Sequence, residues 1–258
     1  MAIAHEEITR VVPVVRTESI RATSAHRAGL LLAAAGWAAL LLMWATGSAE
    51  LFGHDQHGVP IPLALFFFLA GWSVMIAAMM LPSSLPALRR LDGDAAETMI
   101  APGRTRFLSG YFLGWAAFGA AAYIGDAILH QLAHSLAWLE ARPWLIGGGV
   151  AIFAGVAELI GRTPPPEFPV PTKPDARSFD LGKAHAIDRI RRCWPLMLFA
   201  MAVGMASAVW MVVLTLVMLL ELRPKASCVL RLVGSALVGM GIAIIAHPVW
   251  APILLGQG

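Results

Sequence analysis

The chain has 258 residues, 58% of them hydrophobic and 14% charged, with a formal net charge of +3. Average soluble domains carry about a quarter charged residues, so this deficit, with several apolar runs near 20 residues, points to an integral membrane protein. It excludes reading the positive charge as a nucleic-acid surface, and Cys193 and Cys228, set on either side of an apolar segment, offer neither a disulfide nor a zinc spacing.

Residues 1–27 read as a polar cytoplasmic arm; they mix both charges and lack the compact apolar core of a cleavable signal peptide. The first span is expected at about 28–49. A short loop follows, carrying Glu50, His54, Asp55 and His57 and no Lys or Arg. The second span, about 62–81, ends in WSVMIAAMML before Pro82, and Pro82 and Pro86 are expected to stop it. A basic loop leads to the third span at about 107–130, rich in Gly and Ala. The fourth span is expected at about 143–162. Residues 163–192 read as a Pro-rich basic cytoplasmic loop. The fifth span, about 193–221, is long enough to require a tilt, a kink near Gly204 or a projecting end, and the sixth is about 229–247.

The fold class is therefore all-α, a polytopic transmembrane helix bundle of about six spans over residues 28–250, with a candidate 3+3 inverted repeat. The arm, the 83–106 loop and the 162–192 stretch hold 15 of the 19 Lys and Arg residues. The positive-inside rule places these on the cytoplasmic side, with both termini. Arg223, Lys225 and Arg231 run against that assignment.

Two patterns suggest metal chemistry. Trp72-x2-Met75-x3-Met79 is echoed by Trp194-x2-Met197-x3-Met201, and Cys193 heads the second stripe. Residues four apart share a helix face, so each segment presents soft sulfur, which selects Cu(I). Core packing competes with this reading, because Met fills gaps between helices. The second pattern is Asp126, His130 and His134 on one face of the third span, with His54 and His57 on a loop at the same side. Imidazole and carboxylate suit copper, and zinc or iron as well. Asp126 would be a third ligand or a partner orienting His130. Solvated interfacial histidines are the alternative. Glu158 and Arg162 are spaced for an i,i+4 ion pair. No P-loop, dinucleotide fingerprint, nucleophile elbow or HExxH occurs, so nothing reads as hydrolytic or nucleotide-driven.

The segments WSVMIAAMMLPSSLP, GYFLGWAAFG and CWPLMLFAMAVGMASAVWMVVLTLVMLLEL resemble the bacterial predicted metal-binding integral membrane proteins. The resemblance rests on Trp72, Met75, Met79, Met80 and Pro82, on Tyr111 and Trp115, and on Cys193, Trp194, Met197, Gly204, Trp210, Met211 and Glu221. It implies a copper-handling membrane protein, without catalysis of its own, that supplies a copper enzyme such as a tyrosinase-type polyphenol oxidase. Its setting would be the bacterial inner membrane, its partners lipid and a copper-dependent enzyme or membrane complex. Two other functions stay open. One is a copper-site subunit of a membrane oxidase or monooxygenase, and the other is a helix-packing scaffold without metal.

Overall fold

In the computed structural model, residues 29–48, 59–90, 102–161, 178–203, 207–221 and 226–254 are described. Among them the chain is all helical, with no strand. The helices are α1 (Gly29–Ala45), α2 (Ile61–Met79), α3 (Leu81–Arg90), α4 (Pro102–Ser135), α5 (Ala137–Glu140), α6 (Trp144–Ile160), α7 (Ser178–Val203), α8 (Ala208–Leu220), α9 (Ala226–Ala246) and α10 (Ala251–Leu254). Three are long and apolar enough to cross a membrane: α2, α4 and α9. The N-terminal arm, His54 and His57 of the first loop, Gly204 and Met205, and the Pro-rich run 163–177 lie outside the described residues.

Pro82 stops α2 as expected, but the chain does not leave the helical path. Pro82 has no N–H to offer the Ala78 carbonyl, and its ring crowds that turn. The ladder therefore closes at Met80, whose N–H bonds Ile76 O at 2.9 Å, and a new helix starts at Leu81. There Pro82 occupies a first-turn position, where a missing donor is harmless. Ser83 Oγ then donates to Met80 O at 2.7 Å, which covers a carbonyl exposed by the break.

The stretch expected as a loop up to residue 192 is helical from Ser178 onward, and α7 runs through it into the apolar segment. The stretch expected as one fifth span is instead two helices. It breaks between Val203 and Ala208, and α8 folds back. Two contacts show the reversal. The Phe199 and Trp210 rings meet at 5.1 Å, and Arg189 Nη2 lies 4.0 Å from Glu221 Oε2. A continuous helix would set positions 189 and 221 about 48 Å apart, at about 1.5 Å per residue. The stretch read as a fifth span is thus an α7–α8 hairpin, and α1 and α6 are shorter apolar helices beside the three long ones.

The helices are joined by two seams of small residues. A Cβ on Gly155 of α6 would meet Val238 N of α9 at 2.8 Å, and one on Gly241 would meet Ile152 N at 2.9 Å. Backbones this close require residues without side chains. The pairing of 148 with 241 and of 155 with 234 makes α6 and α9 antiparallel. The other seam joins α4 to α7 in parallel. Gly182 is pressed on Phe107 and Tyr111, and Gly114 on Ala186. Helix α2 lies antiparallel on α4. Trp72 Nε1 donates to Trp115 O at 3.0 Å, and Phe68 meets Tyr123 at 5.1 Å.

Candidate functional site

Both Met stripes end in the same interior. Met75, Met79 and Met80 on α2 and its cap, Cys193, Met197 and Met201 on α7, and Met211 and Met218 on α8 all belong to one buried core cluster. Cys193, Met75, Met79, Met80, Met197 and Met218 are at most 1% exposed. Residues four apart on α7 turn one face inward, so Cys193, Met197 and Met201 form a line. Stripe does not lie directly on stripe, because α4 is the helix that packs against both α2 and α7.

At one end of the sulfur cluster is a buried polar seam that the motif reading did not single out. It runs from His185 to Glu221 through the α2–α3 break. Ser84 Oγ lies 3.2 Å from Met80 O, 3.2 Å from Tyr111 OH and 3.0 Å from His185 Nε2. A hydroxyl has a single proton. The Ser84 proton goes to the Met80 carbonyl or to Tyr111 OH, and its oxygen accepts from a His185 ring carrying its proton on Nε2. Arg189 Nη2 donates to Ser83 Oγ at 2.9 Å and faces Glu221. The Cys193 thiol donates to Arg189 O at 3.0 Å, which ties the first sulfur of the stripe to the seam. Phe107 and Tyr111 flank the His185 ring at 5.8 and 5.7 Å.

His185 lies in the polar first half of α7, ahead of the apolar part that opens at Cys193. Burial lowers its pKa from 6.5 to about 4, and the charges of Arg189 and Arg192 push the same way. Its ring is neutral in the folded chain at pH 7. Between pH 6.5 and 4 the unfolded chain binds a proton that the folded chain refuses. Stability from this residue is complete above about 6.5 and is lost as the pH falls toward 4. Thermal midpoints measured across that window should fall with pH, and a His185→Gln variant should show a shallower fall.

The Asp126, His130 and His134 ladder lies on α4, at its end remote from the seam. His130 Nδ1 is 3.2 Å from Asp126 Oδ2 and 3.1 Å from Asp126 O. His134 turns the other way, and its Nδ1 is 3.1 Å from Glu140 Oε1 of α5. The histidine side chains are 45% and 68% exposed. Each ring is thus oriented by its own carboxylate, and the two are not drawn onto one point. Among the described residues no group of three or more His, Cys, Asp or Glu is placed to hold a metal ion. Glu158, expected to pair with Arg162, is buried on α6, and Arg162 lies outside the described residues.

Sequence signals for the missed residues exist in hindsight. Ser83 and Ser84 directly follow the helix-breaking Pro82, where hydroxyls find freed carbonyls. Arg189 is four residues before Cys193, on the same inward face. An arginine on the face that carries buried sulfur is a residue in need of an anionic partner.

The donor set fits copper as cargo. Thioether sulfurs and one thiol are soft ligands that select Cu(I) over harder ions, and their burial keeps water and oxidants away. Compared with known proteins, no curated protein and no solved structure matches the chain. A family profile does match, over residues 69–161 and 169–244, and its description is PpoB2, copper chaperone. The matched stretches hold the polar seam, Cys193 and all the core methionines named above. The chain therefore belongs to this copper chaperone family, as its Trp and Met motifs foreshadowed.

Proposed function

We propose that the chain is an integral membrane protein that holds Cu(I) among its buried sulfurs and passes it to a copper-dependent enzyme or membrane complex. The observation that carries this is that Met75, Met79, Met197, Met201 and Cys193, with Met80, Met211 and Met218, are all buried in one hydrophobic core. Family membership supplies the metal. Sulfur side chains of this number would also pack a core, but the Cys193 thiol is tied to a buried polar seam, which packing does not require.

The setting is a bilayer of the bacterial inner-membrane type. Large apolar side chains face outward along the apolar helices, among them Leu31 and Leu42 on α1, Phe66 on α2, Ile128 on α4, Ile160 on α6 and Leu232 on α9. Helix α4, at about 51 Å, exceeds a core of about 30 Å, so its ends project into the interfaces. The polar seam belongs to the cytoplasmic end, near Arg104, Lys183, Arg191 and Arg192. Because α8 turns back, its end at Glu221 lies on this same side. Helix α9 returns to the opposite face, so residues 248–254 lie across the membrane from the start of α1, in place of a cytoplasmic C-terminus.

Cu(I) titration of the detergent-purified protein against a chromophoric chelator tests the reading. A Cys193→Ala/Met197→Leu/Met201→Leu variant should lose the tight site, with affinity falling at least a hundredfold, about 2.7 kcal/mol. His130→Ala should leave it within about twofold, well under 1 kcal/mol. Loss only on His130→Ala would move the site to the α4 ladder with Asp126 and His134, and equal binding by all variants would end the sulfur reading.

A further inference from the structure

Glu158 has a burial that its partners do not explain. The residue is 7% exposed, on a helix whose neighbouring faces are Gly and Ala. Its Cβ rests over Gly234 of α9. Among the described residues it makes no hydrogen bond and no ion pair. Five residues before it, Phe153 meets Trp194 at 5.5 Å, which fixes α6 beside the start of the sulfur line. Glu158 acts electrostatically on Cys193, as Glu221 and Arg189 do, and Glu158 and Glu221 act on each other.

Arg189 contributes one positive charge, and Glu221 faces it at 4.0 Å. Among the described residues, Glu158 is a second acid with no cation beside it. Arg192 pairs with Asp188 at 3.2 Å, Lys183 pairs with Asp180 at 2.9 Å, His185 is neutral, and Arg231 of α9 is exposed. An unpaired ion is costly in these surroundings, so the Glu158 carboxyl keeps its proton until a cation lies close by.

Copper bound by thioethers has the complementary problem. Neutral sulfurs donate electron density but leave the ion its +1 charge, and an apolar core cannot solvate it. We propose that Glu158 is the counter-charge for Cu(I): it does not ligate the metal, but its carboxylate balances the single positive charge that the sulfur cluster takes in. The inference rests on the copper reading above and adds to it a basis for selecting charge. One carboxylate offsets one positive charge, so a monovalent ion is matched and a divalent ion is not.

The test uses the full chain in detergent, titrated with Cu(I) and separately with Ag(I), a monovalent mimic. Glu158→Gln, which keeps the shape and removes the charge, should weaken both ions at least tenfold. The metal-free thermal midpoint of that variant should be unchanged or higher, because a buried acid without a partner has gone. Glu158→Asp should restore most of the affinity. A Glu158→Gln protein that binds Cu(I) as tightly as the wild type would overturn the proposal and leave the copper reading intact. Equal losses in the Gln and Asp variants, with a lowered metal-free midpoint in both, would show a packing role and also overturn it. A wild-type chain that binds neither ion would remove the copper reading and this inference together.

Discussion

Replacing Arg189 with alanine should destabilise the chain by about 3–5 kcal/mol, because truncating one partner of a buried ion pair leaves the other uncompensated. Arg189 is 5% exposed, and its partner Glu221 is 14% exposed at the side chain. The loss reaches further than that pair. Ser83 Oγ loses its donor as well. A thermal scan should show the midpoint lowered by about 6–20 °C, at about 2–4 °C per kcal/mol for a chain near this size. A charge argument makes a second demand. Arg189→Met combined with Glu221→Gln should recover at least half of the loss, since apolar or neutral replacement of both members of a buried pair is tolerated. If the double variant is as unstable as the single one, Arg189 acts through packing alone. The Nε of Arg189 has no hydrogen-bond partner among the described residues, so the side chain is held by one end only and the pair with Glu221 carries most of its effect.

Gly182→Ala should add the most damaging single methyl group among the described glycines. A Cβ there collides with the carbonyl of Phe107 and comes within 2.9 Å of Tyr111 N, all backbone atoms of α4. A flexible side chain could swing away, but a helix backbone cannot. Overpacking commonly costs about 1–3 kcal/mol, and the backbone clash puts this site at the upper end, about 3 kcal/mol or beyond. The functional effect is larger than that energy suggests. To make room, α4 and α7 must part, which carries His185 away from Ser84 and Arg189 away from Ser83. The variant should therefore lose Cu(I) affinity as well as thermal stability, although residue 182 is eleven positions from Cys193. Gly149→Ala on α6, where an added Cβ meets nothing within 4 Å, is the control and should leave both properties unchanged.

The helices themselves were legible in the sequence, because apolar runs bounded by Pro and charge are a strong signal. The Met and Trp spacings correctly pointed to a copper-handling family. Two things were hidden. Hydropathy over 193–221 is nearly continuous, and it carries no record of chain direction. A straight span and a hairpin give the same profile, and only the Arg189–Glu221 and Phe199–Trp210 contacts distinguish them. The polar seam was hidden for a different reason. Ser83, Ser84, His185 and Arg189 look like ordinary loop and interface residues in a linear reading. They become one network when the α4–α7 glycine seam brings positions about a hundred residues apart into contact. The Asp126, His130 and His134 ladder shows the converse. Its spacing on one face was legible, but the separate carboxylate that orients each histidine depends on the turn into α5.

The seam also sets a schedule for the newly made chain. Ser83 and Arg189 are 106 positions apart, and at about 5–20 residues per second roughly 5–20 s pass between the synthesis of one and that of the other. Throughout that interval the α2–α3 break waits with Met80 and two serines in place and no guanidinium to meet them. The first Met stripe exists before Cys193 and the second stripe have been translated. On the copper reading proposed above, a metal ion arriving early finds half a site. The order of synthesis itself therefore delays loading until α7 has been made, and a ribosome stalled before α7 should yield a chain that acquires no copper.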